Sequence, residues 1–196
     1  MRSLIRPALV LFVFFTVLTG FLYPLVITGI SQVAFAHAAS GSVLSRDGKP
    51  MGSSLIGQNF SDPKYFWGRP SATTPQPYAG TASTASNLGP LNPALTDGIK
   101  SRLQALQAAD PGNKALVPVD LVTASASGLD PEESIAAALY QAPRVARARS
   151  LDAQSVRTLI AAHSQGRWLG VFGEPRVNVL ALNLALDDLA PKPASR

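Results

Sequence analysis

Arg144, Arg147 and Arg149 follow Gln141 and Pro143 at near-helical spacing, with no acidic residue among them. Such a basic cluster can meet a partner, and it can equally form a solvated helix face. Lys64 and Arg69 add two more cations inside an aromatic segment, Phe60 to Pro70, which packs four aromatic rings and two prolines into eleven residues. The rings themselves suit a folded core. Lys64, Arg69, Gln141, Arg144 and Arg147 are therefore the candidate partner-interface residues. A second stretch, Asp120 to Pro131, joins an expected strand to an expected helix through small hydroxylated residues. A turn of that kind presents backbone N–H groups and can hold an anion, although Glu132 and Glu133 oppose it.

No catalytic constellation emerges. The sequence has no Gly-x-Ser-x-Gly elbow, no phosphate-binding GxxxxGK[ST] loop and no HExxH pair. The acidic pairs Glu132/Glu133 and Asp187/Asp188 are adjacent, so on a helix they diverge rather than converge. They suit caps and solvated faces. His163 falls on an apolar helical stripe, where a satisfied core histidine is the ordinary reading. Ser54 to Gln58 echoes the Ser-Gly-Gly-Gln element of cassette ATPases only weakly, without the surrounding nucleotide-binding fold.

The 196 residues contain no Cys and only two His. That excludes disulfide scaffolds, thiolate metal sites and a Cys nucleophile, and it leaves little room for His relays. Charged residues make up 15% of the chain, and none occurs between Arg6 and Arg46. The formal net charge of +5 is too mild and too scattered to argue for nucleic acid.

The uncharged stretch divides the chain. Residues 1–7 form a basic amino terminus and 8–30 a membrane span. Residues 31–39 are a juxtamembrane linker, and 40–196 an exported domain. Ala8 to Ile30 would make a helix of roughly 34 Å, against a hydrocarbon core of about 30 Å. Fifteen of its residues are Leu, Ile, Phe or Val, and these favour insertion by about 5–9 kcal/mol. A cleaved leader is the alternative, with Ala36-His37-Ala38 as its processing site, but leader cores run to about 15 residues at most. Arg2 and Arg6 precede the span and the next cation is Arg46. By the positive-inside rule the amino terminus stays in the cytoplasm and the domain lies outside. Thr16, Gly20, Pro24 and Thr28 recur every four residues and stack in one notched row. Such a row lets a neighbouring helix approach closely.

The exported domain reads as a mixed α/β fold with short strands. Strands are expected at Ser53–Gln58, Leu116–Val122 and Trp168–Phe172, and Thr73 to Asn87 as a long loop. A first helix follows the Asn92 cap with Pro93 at its first position, and buries Leu95, Ile99, Leu103 and Leu106. The next starts at Asp130-Pro131, with Glu133 in a capping box, and ends before Pro143. Others cover Asp152 to His163 and a closing stripe of Val179, Leu182, Leu186 and Leu189.

Several of these stretches occur in an order that is familiar as a set. They are Tyr23 to Ile30, Gly52 to Phe60, Tyr65 to Ala72, Ser86 to Asn92, Val119 to Pro131, Tyr140-Gln141, Arg144 to Ala146, and Gly173 to Leu180. Together they closely resemble the C-subunit family of the Kdp potassium-transporting ATPases, over nearly the whole chain including the single anchor.

The resemblance implies an accessory subunit without chemistry of its own, in a bacterial plasma-membrane pump for potassium. Its partners would be a channel-like potassium-translocating subunit, a P-type ATP-hydrolysing subunit and a small membrane subunit. It implies a catalytic chaperone that stabilises the complex and raises the ATP affinity of the hydrolysing subunit. ATP and potassium would be handled through the complex, with no cofactor held by this chain. The sequence lacks the Asp-Lys-Thr-Gly phosphorylation motif of P-type pumps. The alternative classes are a membrane-tethered periplasmic hydrolase and a small-anion binding module at the Ser125 to Pro131 turn.

Overall fold

The structure is a computed structural model and describes residues 2–189. Met1 of the expected cytoplasmic segment and residues 190–196 of the expected exported domain lie outside the described residues. The chain divides into two compact units, Met1–Val43 and Leu44–Arg196.

The first unit is a long apolar helix, Ser3–Ala34, with mean hydropathy 2.4 and none of its most apolar stretch buried. It comprises α1 (Arg2–Val17), a π-helical turn (Leu18–Leu22) and α2 (Tyr23–Ala34), followed by a short α3 (Ala36–Ala39). Pro24 explains the widened turn. A proline has no N–H for the carbonyl four residues back and its ring crowds that carbonyl. The chain instead closes an i→i−5 bond from the Tyr23 N–H to the Leu18 carbonyl. By length and composition the helix can cross a bilayer.

A hairpin follows, β1 (Val43–Arg46) and β2 (Lys49–Ser53), which lies in the second unit from Leu44 onward. Asp47 and Gly48 have φ of +50° and +73° at its turn, the geometry that Asp-Gly favours in two-residue hairpins. The expected strand at Ser53–Gln58 does not form: β2 ends at Ser53 and the chain turns beyond it. Helix α4 (Pro93–Ala109) starts where expected, with the Asn92 side chain accepting from the Ala94 N–H at 3.0 Å. Leu106 is buried in it, and Ile99 and Leu103 are partly so.

Three expectations between α4 and α6 fail for identifiable reasons. Leu116–Val122 is not a strand: Pro118 cannot donate to a ladder, the chain makes a 3₁₀ turn at Val119–Leu121, and Leu116 and Val119 are exposed. Asp130-Pro131 does not start a helix. It leads into strand β3 (Glu132–Ser134), and the helix cap is Ser134, whose Oγ accepts from the Ala137 N–H at 3.0 Å. Helix α5 (Ile135–Arg149) then runs through Pro143 rather than ending before it. An internal proline costs about 3 kcal/mol, but Ala138, Ala142, Val145 and Ala146 all lie in the core on this helix and offset that cost.

Helix α6 (Ala153–His163) is capped by Asp152, as expected. Strands β4 (Ser164–Gln165) and β5 (Arg176–Asn178) complete an antiparallel sheet of order β3-β5-β4, with Glu133 opposite Val177 and Ser164 also opposite Val177. The expected strand at Trp168–Phe172 is instead the tight turn between β4 and β5, with a single bridge from Trp168 to Phe172. Helix α7 (Val179–Leu189) follows, and its Val179, Leu182 and Leu186 are buried, whereas Leu189, expected in the same stripe, is exposed. The main core joins Phe66 to the inner faces of α5, α6, β5 and α7. A second cluster gathers Leu106, Leu121, Val122, Ala137 and Tyr140 around Trp67.

Candidate functional site

The extended segment Tyr65 to Arg69 has no strand neighbour, yet its buried peptide groups need partners. Two side-chain amides supply them. From α7, Asn183 accepts from the Phe66 N–H at 2.9 Å and donates to the Phe66 carbonyl at 2.9 Å. From α5, Gln141 accepts from the Trp67 N–H at 2.8 Å and donates to the Trp67 carbonyl at 3.0 Å. Each amide thus replaces one residue of a missing strand. Gln141 also donates to Glu133 Oε2 at 2.8 Å and accepts from Arg144 Nη2 at 2.7 Å. All four of its hydrogen-bonding positions are used inside the chain.

Arg144 is 3% exposed. It donates to the carbonyls of Pro63 and Tyr65 and lies 4.3 Å from the centre of the Trp67 ring. Burial, only partly opposed by Asp110 and Glu133, brings its pKa down to about 10. Glu133 is buried beside it with Oε1 unpartnered. Burial, with Asp120 adding to it, pushes its carboxyl well above the usual range, against the pull of Arg144 and Gln141.

The interface candidates therefore separate. Gln141 and Arg144 are internal braces whose side chains lie beneath the surface. Lys64 is exposed beside Asp62 at 3.2 Å, and Arg147 is exposed and paired with Asp110. Arg69 pairs with Asp130 at 2.9 Å and Arg149 with Asp187 at 2.6 Å. The basic cluster lacks acidic neighbours only in sequence, because Asp110 and Asp187 arrive from other elements. Glu132 and Glu133 diverge on strand β3 rather than on a helix: Glu132 meets Arg176 at 2.6 Å, while Glu133, expected as a cap or a solvated residue, turns inward and is buried. Asp188 meets Arg46, and Asp187 lies between Arg46 and Arg149.

In the Ser125 to Pro131 turn three amides are spent internally, Ser125 on the Pro70 carbonyl, Gly128 on the Ser125 carbonyl and Leu129 on Ser127 Oγ. It leads into a strand, so no helix dipole points at it. The adjoining cleft of about 640 Å³ is lined by Asp120, Asp130, Glu132 and Glu174 against Arg69 and Arg176.

Sequence reasoning missed Asn183 and Glu133. A signal for Asn183 was present, since it is the one polar residue in Val179 to Leu186. In the first unit, Thr16 Oγ1 bonds its own helix at the Phe12 carbonyl, 2.7 Å away, and a Cβ on Gly20 would meet nothing within 4 Å. The row of Thr16, Gly20, Pro24 and Thr28 thus lies on an uncovered helix.

The profile of the family described as "KdpC: K+-transporting ATPase, c chain" matches residues 5–188. The chain belongs to this KdpC family. It is 64% identical over 191 residues to the potassium-transporting ATPase KdpC subunit of Polaromonas naphthalenivorans, covering 97% of each chain. The KdpC subunit of Dechloromonas aromatica is 60% identical, with 97% of this chain and 100% of that one covered. For that of Variovorax paradoxus the figures are 64%, 95% and 97%. The match includes the apolar helix as well as the folded domain, so membership extends over both units. One amino-terminal helix long and apolar enough to span a bilayer fits a single-pass membrane subunit of a transporter.

Proposed function

We propose that this chain is the accessory subunit of an ATP-driven potassium-uptake complex, anchored by its first helix in the bacterial plasma membrane. The amino terminus is cytoplasmic and the Leu44–Arg196 unit extracytoplasmic, in accord with Arg2 and Arg6 before the helix and no cation after it until Arg46. The observation that carries the reading is the family match over both units. Its partners are the channel-like potassium-translocating subunit, the P-type ATP-hydrolysing subunit and the small membrane subunit. The row of Thr16, Gly20, Pro24 and Thr28 packs against a helix of the transport subunits, and Lys64, Arg69 and Arg147 face a partner.

The subunit performs no chemistry itself. It raises ATP affinity across the membrane by binding more tightly to the pump conformation that holds ATP best. A fivefold to hundredfold gain in affinity requires about 1–3 kcal/mol of coupling, a magnitude that one helix contact and one docked domain can supply. A mild-detergent pull-down on the full chain tests the assignment. Co-purification of a P-type ATPase and its potassium-translocating partner is expected, and their absence overturns it.

A further inference from the structure

The turn between β4 and β5 exposes what a folded domain ordinarily buries. Trp168, Leu169, Val171 and Phe172 are 70%, 73%, 73% and 60% exposed. The Trp168 and Phe172 rings lie against each other, 5.7 Å between centroids. No charged residue falls between Arg167 and Glu174, and those two close the base of the turn with bonds of 3.0 and 2.8 Å.

The turn is ordered rather than loose. Leu169 and Gly170 have φ of +52° and +75° at its apex. That left-handed geometry normally selects Asn-Gly or Asp-Gly. A leucine there carries backbone strain, and its exposed side chain recovers little packing within this chain. The polar backbone, by contrast, is well provided for. The amides of Trp168, Gly170, Val171 and Phe172 all donate to carbonyls within the turn, at 2.8 to 3.2 Å.

We propose that the Trp168–Phe172 turn inserts into the outer face of the lipid bilayer as a second membrane contact of this subunit. The shape and chemistry fit lipid better than a protein groove. Apolar side chains are exposed along the turn, four of its five backbone donors (all but Leu169) are satisfied internally, close to what a hydrocarbon environment demands, and Trp is a residue of the membrane interface. The tether favours the same partner. Only residues 35–42 separate α2 from β1, and that length of extended chain reaches at most about 28 Å. A domain so tethered to a membrane-spanning helix meets the bilayer surface at high effective concentration.

The inference rests on the membrane anchoring proposed above, and the test separates the two. The full chain is reconstituted into phosphatidylcholine vesicles with or without bromine near the head of the acyl chains, alongside a Trp168→Phe variant. Circular dichroism of the variant checks its fold. Subtracting the variant's emission isolates Trp168 from Trp67, the other tryptophan. Brominated lipid should lower the Trp168 emission at least twofold, while aqueous acrylamide has little effect. Quenching by acrylamide alone would place the tip in water and overturn the proposal. Protection from both quenchers, in the vesicles or in the purified complex, would place it against protein and also overturn it. A chain that fails to float with the vesicles overturns the anchoring and the insertion together. A chain that floats with Trp168 unquenched by lipid overturns the insertion alone.

Discussion

The side-chain amide of Gln141 closes a two-bond ring with the backbone of Trp67, accepting from its N–H at 2.8 Å and donating to its carbonyl at 3.0 Å. One residue earlier, Asn183 does the same to Phe66. The aromatic segment is thus fastened to α5 and α7 by paired amides, and Arg144 and Glu133 hold the Gln141 amide in place.

Gln141→Ala removes four bonds at once and leaves the Trp67 peptide, Glu133 and Arg144 with missing partners in a buried site. Each such orphaned group costs about 1–3 kcal/mol. The variant should lose at least about 3 kcal/mol, read from denaturant unfolding of the detergent-solubilised chain by tryptophan emission. A loss under about 1 kcal/mol would show that the brace contributes little.

Glu133 predicts a pH dependence. Its buried carboxyl keeps its proton to a higher pH than the ordinary 4.5, because of burial and then Asp120, despite Arg144 and Gln141. Above pH 4.5 the unfolded chain gives up a proton that the folded chain still holds, so this group lowers stability as pH rises, until the buried carboxyl also ionises. Below that pH both forms are protonated and the effect vanishes. Glu133→Gln should therefore flatten the fall in stability between about pH 5 and pH 8. Identical slopes in the two proteins, measured by unfolding midpoints, would contradict the assignment.

What the sequence made legible was local. The Asn92 and Asp152 caps, the apolar anchor and the closing stripe of α7 each depend on neighbours within a few residues. The failures came where distant contacts overruled local preference. Pro143 reads as a helix stop, but the helix continues because its alanines are packed in the core. The basic cluster reads as unpaired, but Asp110 lies 37 residues from Arg147 and Asp187 lies 38 from Arg149. Gln141 stood out as a surface candidate, although its partner Trp67 is 74 residues away. No spacing rule could join that pair. The Asp47-Gly48 hairpin is different: its turn signal is local and present in the sequence, yet the expected element was one strand at Ser53–Gln58 and no hairpin.

Two glycines should respond oppositely to alanine. A Cβ on Gly57 would lie 2.4 Å from Tyr78 Cε1 and 2.6 Å from the Asp130 carbonyl oxygen, and backbone cannot yield cheaply. Gly57→Ala should destabilise by about 1–3 kcal/mol. Gly98 sits inside α4 with nothing within 4 Å of a Cβ. Gly98→Ala should stabilise by about 0.5–1 kcal/mol through helix propensity. Thermal unfolding of both variants checks the two signs.

In the anchor, Gly20→Leu fills the open notch between Thr16 and Pro24. Recovery of the intact complex in mild detergent should fall severalfold while membrane insertion is unchanged. An undiminished yield would remove the packing role of this face.

The proposed function turns on this subunit favouring the pump conformation that binds ATP tightly. Linkage makes the effect reciprocal: ATP must tighten the subunit's own attachment by the same factor. The direct measurement is the equilibrium affinity of the full chain for the solubilised pump, with and without a saturating non-hydrolysable ATP analogue. Binding about fivefold to hundredfold tighter with the analogue is expected. Equal affinity in the two conditions would contradict it.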